Sequence, residues 1–341
     1  MTHEREITVP VDLCDARGRL NPAAVGWSRQ PLHRANLQRA RGRKKRWDYW
    51  CVIADEVVVA LTYADVDYLG LASVWVLDPT SGEQHEAGHL SPLGWGFALP
   101  DEPGTGTMHL PSSRLVLEIV ETDAATRLRA AARPKREPAI EVDLTVERPA
   151  GHETMSVVIP WSDRRFQYTS KHTARPASGR VRVGAREWVL GPGHGAYGVL
   201  DLGRGIWPYT NRWNWGTASG VAADGTVVGV QMGGKWTVGT GYTENALCIG
   251  GRLTKIGEEL KWSYSWDDPL QPWHVRTPGS DRVDLRLTPT LDRHDRTDVG
   301  VLRMEVHQCF GTWSGLVVGD DGVTRVLEGV RGFAEEARNR W

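Results

Sequence analysis

The sequence predicts an all-β protein built from two antiparallel halves that close into barrels or sandwiches. The first observation is that many short segments alternate apolar with polar residues between Gly, Pro and Asp turns, as half-buried strands do. The second is that helical segments are scarce, so helices cannot join the strands into a parallel sheet. The third is length, because 341 residues are enough for two domains or one large β domain.

Predicted strands cover much of the chain. The pattern over 56–83 predicts strands joined by turns, with DPTSG closing a hairpin. The same alternation recurs in EVDLTVERPAGHETMSVVIPW, RVRVGAREWVLG, GTASGVAADGTVVGVQMG and RVDLRLTPTLD, and ADG is a strong turn signal. Two segments favour a helix, ATRLRAAAR weakly and the C-terminal RGFAEEARNRW more clearly. We therefore expect a short C-terminal helix after the strands.

A junction between the two β halves is predicted near the middle of the chain. The stretch SKHTARPASGR at 170–180 is polar and contains Pro and Gly, which favours a linker. We predict that residues 1–172 form an N-terminal arm and a first β-barrel domain, and that residues 173–341 form a second β-barrel domain with the C-terminal helix. CDARGRLNPAAVGWSRQPLHRANLQ has too many Gly, Pro and polar residues for one element, so we expect an ordered arm laid over a barrel.

The charge balance argues against several kinds of partner. The chain has 41 basic and 42 acidic residues and a formal net charge of -1, so no chain-wide field attracts nucleic acid or anionic lipid. The basic run RARGRKKRW at 39–47 is more typical of a solvated loop than of a nucleic-acid surface. The charged start MTHEREITVP and the absence of a long apolar run favour a cytoplasmic protein without a membrane span. The sequence leaves the oligomeric state open.

The motifs that resemble metal or cofactor sites lack the context that such sites need. HEAGH at 85–89 matches the zinc-protease pattern HExxH, but that chemistry needs a helix, whereas DPTSG and Gly88 favour a hairpin. GPGHGAYG lacks the GxGxxG spacing of a dinucleotide site. The four cysteines form no CxxC pair, so we expect packed, reduced thiols. We predict no metal ligands and no cofactor.

Tryptophan is the residue in which the composition departs most from average, with 16 Trp beside only 4 Phe. Because Trp offers a broad apolar face and one N–H, a Trp-rich interior is typical of a cavity wall. The densest stretch, DLGRGIWPYTNRWNW at 201–215, places Asp201, Trp207 and Tyr209 on one face of a strand and Arg204 on the other. This stretch is an apolar pocket wall if Trp207 faces a cavity. It is instead a polar contact surface for the ligand if Arg204 faces the cavity. The candidate ligand-binding residues here are Asp201, Arg204, Trp207, Tyr209, Trp213 and Trp215.

The stretch KWSYSWDDPLQPWH at 261–274 predicts an acid beside an aromatic wall. As a strand it places Trp262, Tyr264, Trp266 and Asp268 on one face. An acid in an apolar setting has a raised pKa, which suits a general acid near neutral pH. Aromatic faces also stabilise a developing cation, by about 1–2 kcal/mol per ring. The alternative is that WDDP is an ordinary strand end whose acids are solvated or paired with arginine.

Two further segments contribute candidates. GYTENALCIGG places Glu244 and Asn245 beside Tyr242, either as a proton donor and a ligand contact or as interior hydrogen-bond partners. In the arm, GWSR is unusually polar for a linker, which makes Trp27 and Arg29 candidate ligand contacts. The alternative, which we favour, is that Arg29 ties the arm to a carboxylate on a barrel.

The sequence as a whole resembles a known family. The segments CDARGRLNPAAVGWSR, RKKRWDYW, YGVLDLGRGIWPYTNRWNWGTASG, TENALCIGGRLTKI and GFAEEARNRW together are similar to the bacterial domain of unknown function 2804 family. The resemblance spans nearly the whole chain, and the family has no established activity. Its distant relatives are double-barrel, calycin-like proteins that include the carotenoid hydratase group, fungal pericyclases and lipid-associated stress proteins. The resemblance implies two lipocalin-like barrels, an aromatic-lined cleft, and no metal or organic cofactor.

The resemblance also implies a comparison of site residues. In the hydratase group, an acid and aromatics of the C-terminal half protonate an alkene and hold the resulting cation. By residue type and rough position, Tyr264, Trp266 and Asp268 are the groups to compare with them.

Three hypotheses follow. The leading one is a two-barrel protein that binds a hydrophobic or amphipathic small molecule, such as a lipid, terpenoid or polyketide, in a Trp-rich cleft. The second is a cofactor-free hydratase, lyase or cyclase in which Asp268 or Glu244 donates a proton and Tyr264 is a hydrogen-bonding partner. The third is carbohydrate binding, since Trp faces flanked by Asp, Asn and Arg also suit sugars.

Overall fold

The structure, a computed structural model, describes residues 3–37, 42–191, 193–298 and 303–340. The fold is all-β, as predicted, and its main body consists of two curled antiparallel half-barrel sheets. A short 3-10 turn, Pro22–Ala24, lies in the N-terminal arm. No helix in the described part of the chain has the length and apolarity that a membrane crossing requires.

The first sheet follows the N-terminal arm. The arm contains the short strands β1 (Val11–Asp12), β2 (Trp27–Ser28) and β3 (His33–Arg34). The strands after it are β4 (Lys44–Ile53), β5 (Val58–Asp65), β6 (Leu69–Leu77), β7 (Gln84–Pro92), β8 (Thr107–Pro111), β9 (Leu115–Glu121), β10 (Ala125–Ala132), β11 (Ile140–Glu147), β12 (Met155–Ser162), β13 (Arg165–Val183), β14 (Arg186–Leu190) and β15 (Tyr197–Ile206). The sheet order is β7-β6-β5-β4-β15-β13-β11-β10-β9-β8, with β12 and β14 paired to β13, and β2 to β12.

The second sheet begins after β15. Its strands are β16 (Thr210–Val221), β17 (Val227–Gly234), β18 (Asn245–Ile249), β19 (Arg252–Ile256), β20 (Lys261–Ser263), β21 (Trp273–Arg276), β22 (Val283–Asp298), β23 (Arg303–Val318) and β24 (Thr324–Arg340). They lie in the order β19-β18-β17-β16-β24-β23-β22-β21-β20. The predicted turns DPTSG and ADG close the β6–β7 and β16–β17 hairpins.

Both segments expected to be helical are strands. RGFAEEARNR lies in β24, which is paired with β16 on one side and with β23 on the other. ATRLRAAA is β10. Ala, Glu and Arg are good helix formers, but pairing on both sides of a strand overrides such a local preference. The prediction of a short C-terminal helix is therefore wrong.

The stretch 170–180 is the interior of a strand rather than a linker. β13 runs from Arg165 to Val183 and is paired with β11 and β15. Its polar side chains are buried with partners, since Arg175 donates to two backbone carbonyls of β11 at 2.7 and 2.9 Å. The chain passes from the first sheet to the second between Ile206 and Thr210. The division into folding domains at 172 and 173 stays a prediction.

Two sequence motifs lie in strands of the first sheet. HEAGH is part of β7, so its histidines are not on a helix. It therefore lacks the helical spacing that the zinc-protease motif needs. The basic run at 39–47 is strand β4 from Lys44 onward, instead of a loop. Its residues 39–41 lie outside the described part of the chain.

The N-terminal arm is ordered and ties the two sheets together. Glu4 is buried and forms an ion pair with Lys255 of β19 at 2.9 Å. Arg29 forms an ion pair with Glu153 at 3.0 Å and donates to the carbonyl oxygen of Leu253 at 2.6 Å. The arm thus contacts both halves of the molecule.

Separate apolar clusters fill the two half-barrels and the space between them. Trp50 belongs to the core of the first half-barrel and Trp313 to that of the second. Between the sheets, Trp75 is stacked on Phe310 with ring centroids 5.2 Å apart, and Phe333 joins the same cluster. This contact holds the two sheets face to face, and a cavity lies beside it.

Candidate functional site

A cavity of about 260 Å³ lies between the two sheets. The first sheet lines it from β4, β5, β6, β13 and β15, and the second from β16, β22, β23 and β24. The aromatic residues of the wall are Trp47, Tyr49, Trp207, Trp213, Trp215 and Trp236. The charged and amide residues are Gln167, Lys171, Asp201, Glu244, Arg293, Asp295, Gln308 and Glu335. An apolar wall with a few convergent polar groups is the composition of a small-molecule site.

Strand alternation explains why these side chains converge. On β13, alternate residues from 167 to 171 line the cavity, because successive side chains of a strand point to opposite faces. On β15, Asp201 lines it, and the next position on that face is Gly203. A Cβ at Gly203 would overlap the side chains of Trp47 and Gln167. Glycine there makes room for two residues of the wall.

The tryptophans form one connected aromatic wall. Trp207 is stacked on Trp236, with ring centroids 5.5 Å apart and planes 11° from parallel. Trp47 and Trp213 each lie 5.6 Å from Trp207 at steeper angles. Each of three N–H groups donates to a side chain of the same wall, in the pairs Trp207–Gln167 (2.7 Å), Trp213–Glu335 (2.8 Å) and Trp236–Glu244 (2.5 Å). The rings are thereby fixed, and their faces offer apolar surface to a ligand.

One ammonium and three carboxyl groups converge at the cavity. Lys171 is buried, and its Nζ lies 2.8 Å from Oδ1 of Asp201 and 3.3 Å from Oε2 of Glu244. The same Nζ lies 4.3 Å from the ring centroid of Trp215. The third carboxyl group is Glu335, which also accepts a hydrogen bond from a glutamine amide at 2.9 Å. Within this cluster, one lysine cannot balance three ionised carboxylates, so the protonation of the two glutamates decides the net charge of these four groups.

Burial sets the protonation of these groups. It raises the pKa of Glu244 to about 7, in opposition to the attraction of Lys171, and Asp201 adds to the increase. It also raises the pKa of Glu335 to about 7, against the hydrogen bond from Trp213. Burial opposes the charge of Lys171 as well, but Asp201 and Glu244 outweigh it and raise the lysine pKa. Near neutral pH, the site therefore holds a charged lysine and two glutamates able to gain or lose a proton.

Two residues of the wall each have a buried polar atom without a hydrogen-bond partner among the described residues. One atom is Oε2 of Glu244, which forms an ion pair with Lys171 at 3.3 Å but no further hydrogen bond. The other is Nε2 of Gln167, whose side-chain oxygen accepts from Trp207. Buried polar atoms are normally paired. An unused acceptor and an unused donor at a cavity wall are atoms that a polar group of a ligand would satisfy.

Several of the predicted site residues meet at this cavity, namely Asp201, Trp207, Trp213, Trp215 and Glu244. Trp207, and not Arg204, is on the cavity side of the 201–215 segment. Arg204 is buried on the opposite face, where it forms an ion pair with Asp48 at 2.6 Å and donates to the carbonyl oxygen of Trp47 at 2.7 Å. The segment is a cavity wall on one face and a structural tie on the other.

The stretch 261–274 lies outside the cavity lining and contributes the edge strand β20 and the start of β21 to the second sheet. Strand β20 ends at Ser263, and 264–272 form a turn before β21, so the continuous aromatic face expected for Trp262 to Asp268 does not form. Asp268 is exposed in this turn and accepts a hydrogen bond from Gln271 at 3.0 Å. Tyr264 is stacked on a tryptophan of β21 with centroids 3.9 Å apart. Neither residue lines the cavity, and Trp266, which was predicted as a ligand contact, also lies outside its lining.

The remaining predicted residues lie outside the cavity lining. Tyr209 is 51% exposed. Asn245 is buried between two backbone partners, at 2.7 and 3.0 Å. Trp262 is half-buried against the second core, and Trp27 is buried under the arm with its N–H donating to a carbonyl at 3.2 Å. Arg29 lies in the arm and pairs with the carboxylate of Glu153. This is the structural tie that we favoured over a ligand contact.

Five further residues of the wall are not among those predicted from the sequence, namely Trp47, Gln167, Lys171, Trp236 and Glu335. Lys171 falls in the stretch interpreted as a linker, and Glu335 in the stretch interpreted as a helix. A usable signal was present in RFQYTSK, where Gln167, a threonine and Lys171 alternate as strand residues do.

Fold and cavity together define a class: a calycin-like protein of two half-barrel sheets with a Trp-lined cavity that contains buried carboxyl groups. Residues 4–341 match the family described as domain of unknown function 2804, and the chain belongs to this family. The resemblance noted in the sequence is thereby confirmed. No curated protein matches the sequence.

Solved structures share the architecture at low sequence identity. A protein from Nitrosomonas europaea assigned as a candidate AttH matches at 14% identity and a TM-score of 0.50, over 86% of this chain and 92% of that one. Kievitone hydratase from Nectria haematococca matches at 12% identity and a TM-score of 0.48, over 88% and 89%. CghA with Sch210972 matches at 10% identity and a TM-score of 0.44, over 88% of each chain. At these identities the likeness concerns the fold alone.

Proposed function

We propose that this protein binds a hydrophobic or amphipathic small molecule in the cavity between its sheets. The observation that carries the proposal is the wall of tryptophans whose N–H groups are bonded within the wall, as for Trp207, Trp213 and Trp236. Because these rings are already fixed, a ligand that packs on them does not have to order them, which favours binding. The volume of about 260 Å³ is close to the lower end of the usual range, about 300–1,000 Å³. It suits a small ligand or one portion of a longer one.

The polar groups of the site define the chemistry of the ligand further. The unused amide N–H of Gln167 fits a carbonyl or hydroxyl oxygen, and the unused oxygen of Glu244 fits a hydroxyl group. A lipid, terpenoid or polyketide-like molecule with one such oxygen has the matching character. Lys171 is already paired with Asp201, so the proposal does not need an anionic ligand.

The binding proposal is tested on the purified protein. Extraction with organic solvent followed by mass spectrometry should release a bound apolar molecule, and lipids or terpenoids should quench Trp fluorescence. Trp207→Ala and Trp236→Ala should each weaken this binding at least about ten-fold, the loss expected for a buried aromatic contact. Trp95→Ala is the matched control, because Trp95 is 87% exposed and outside the cavity. Failure to extract or bind any such molecule, or equal affinity in all three variants, would contradict the proposal.

A second candidate function is cofactor-free acid catalysis on the bound molecule, as in a hydratase, lyase or cyclase. It is favoured by Glu244, whose pKa burial raises to about 7 and whose Oε2 has the ion pair with Lys171 at 3.3 Å but no further hydrogen bond among the described residues. In this proposal the protonated Glu244 transfers its proton to an alkene carbon, and the aromatic faces of the wall stabilise the carbocation. Water or a second group of the ligand then attacks the cation, and the proton released returns to the Glu244 carboxylate. Asp268 and Tyr264 have no part in it, because they lie outside the cavity lining.

This second proposal is tested by exchange with solvent. A bound alkene incubated with the protein in D₂O should gain deuterium at carbon, detected by mass spectrometry. Glu244→Gln should abolish the exchange and retain binding. Glu335→Gln is the comparison, because both oxygens of Glu335 already accept hydrogen bonds, from Trp213 and Gln308. Exchange that persists in Glu244→Gln would exclude Glu244 as the donor.

A further inference from the structure

Three side chains that commonly bind metals meet on the second sheet, on the face opposite the cavity. His294 of β22 and His307 of β23 are directly paired in the antiparallel ladder, and Glu305 lies two positions before His307, on the same face. One ligand atom from each of the three lies within 4.8 Å of the others. We propose that His294, Glu305 and His307 form a binding site for a divalent transition metal ion such as Zn²⁺. This site is separate from the proposed ligand cavity.

The ligand set selects the kind of metal. Two imidazoles and one carboxylate suit Zn²⁺ and its transition-metal neighbours, whereas Mg²⁺ and Ca²⁺ prefer oxygen ligands alone. Zinc bonds of about 2.0–2.2 Å in a tetrahedral site place the ligand atoms roughly 3.3 Å apart. The observed spread of up to 4.8 Å therefore has to close by about 1–1.5 Å. Rotation of His294 can supply this, because its side chain is 43% exposed.

One of the two histidines is already held in the orientation that metal binding needs. Nδ1 of His307 lies 2.7 Å from Oδ2 of Asp292, which leaves Nε2 as the nitrogen available to a metal. A carboxylate behind a ligating histidine fixes the tautomer and the ring orientation, and it makes the histidine a better ligand. Trp266 packs edge-on against His307 with ring centroids 4.5 Å apart, which restricts rotation of the ring. Asp292 is thus a positioning residue and Trp266 a packing contact.

The third ligand has a competing partner that leaves one oxygen available. Oε2 of Glu305 lies 3.4 Å from Arg303, and Oε1 lies 3.5 Å from Nε2 of His294. The imidazole rings of His294 and His307 are parallel, with centroids 4.1 Å apart. A metal would replace the contact between Glu305 and His294 by two bonds to the same atoms, while Arg303 keeps the second oxygen. Three protein ligands leave at least one position for water on the exposed side.

The position of the site on two paired strands predicts that a bound metal would stabilise the fold. β22 and β23 also line the cavity, with Arg293 and Val306 on the face opposite His294 and His307. A metal that bridges the two histidines would cross-link these strands at their paired residues. Metal binding to the folded state should therefore raise Tm, because the unfolded chain does not hold the three ligands together.

The experiment uses the full chain without a purification tag, stripped with a chelator. Zn²⁺ titrated in a calorimeter should bind with one ion per chain, and Co²⁺ should give the visible absorption of a nitrogen- and oxygen-ligated site. His294→Ala and His307→Ala should each weaken Zn²⁺ binding at least about ten-fold, and Asp292→Asn about ten- to hundred-fold, as expected of a residue that orients a ligand. Glu305→Gln, close in shape to the native residue, tests the third ligand with the least risk to folding.

His274→Ala is the matched control. His274 also lies on a strand and pairs with a carboxylate, Asp284 at 2.6 Å, but it belongs to no group of three such ligands among the described residues. Its replacement should leave Zn²⁺ affinity unchanged. The proposal is overturned if the wild-type protein binds no Zn²⁺, if affinity is the same when His294 and His307 are both replaced by Ala in a variant with native circular dichroism, or if His274→Ala weakens binding as much.

Discussion

Replacing Glu244 with Gln should make the stability of the protein less dependent on pH. Burial raises the pKa of Glu244 from 4.5 to about 7, so the folded state binds this proton more tightly than the unfolded state. That contribution to stability is fully present below pH 4.5 and is lost as the pH rises through about 7. At about 1.4 kcal/mol per pH unit, the loss is about 3 kcal/mol by roughly pH 8.

Glutamine resembles the neutral carboxyl group and has no proton to lose. The free energy of unfolding of Glu244→Gln should therefore exceed that of the wild type by up to about 3 kcal/mol at roughly pH 8, and by much less near pH 5. Urea denaturation followed by Trp fluorescence at several pH values measures the free energy of unfolding of the wild type and of the variant. Some slope should remain in the variant, because Glu335 also has a pKa of about 7.

Glu56→Gln is the control for this measurement, because Glu56 is exposed in the turn between β4 and β5. It should leave the pH profile unchanged. A difference between the wild type and Glu244→Gln that stays constant between about pH 5 and 8, or a variant that loses stability relative to the wild type as the pH rises, would refute a raised pKa of Glu244 in the folded state.

Two further substitutions test the tryptophan wall of the cavity and the Arg204–Asp48 ion pair on the opposite face of β15. Gly203→Ala places a methyl group against Trp47 and should lower the free energy of unfolding by about 1–3 kcal/mol. Gly88→Ala, whose Cβ would be 3.6 Å from the nearest atom, should change it by less than about 0.5 kcal/mol in the same urea assay. Arg204→Met leaves the buried Asp48 without its ion-pair partner and should cost about 3–5 kcal/mol. Adding Asp48→Asn should recover part of that loss, whereas a further additive loss in the double variant would contradict the ion-pair assignment.

The fold class could be predicted because strand alternation is a local property. RVDLRL at 282–287 shows it within a few positions, and the hairpin turn DPTSG lies between the strands that it joins. The predicted C-terminal helix was wrong for the complementary reason. The sequence GFAEEARNR favours a helix by itself, and its strand conformation depends on pairing with β16, more than one hundred positions away in the chain.

The candidate site could be predicted in part, because strand alternation also shows which side chains share a face. The face shared by Asp201 and Trp207 follows from the two-residue period of a strand. Lys171 and Glu335 were missed because their strands were not recognised, and a side chain can be assigned to a face only after its element is known. The prediction of one continuous aromatic face over 261–274 was wrong for a different reason. The alternation of its aromatic residues continues through residues that form a turn, so alternation alone did not mark the end of the strand.

The histidine cluster illustrates what a sequence alone hides. His294 and Glu305 lie on different strands, and their meeting depends on the register between β22 and β23. No short motif records such a register. The one pattern that did resemble a zinc motif, HEAGH, lies in β7, where its histidines cannot adopt the helical spacing.

The cavity is closed by segments that are far apart in the chain, which has a consequence for folding kinetics. One edge of β16 pairs with β24, and the hydrogen bond from Trp213 to Glu335 joins residues 122 positions apart. Contacts of this length form late, because the entropy of closing the loop is lost before they stabilise the chain. An intermediate with only the first sheet would hold Lys171 and Asp201 without Glu335. A ligand that needs the complete cavity should therefore slow unfolding and leave the early folding phases unchanged.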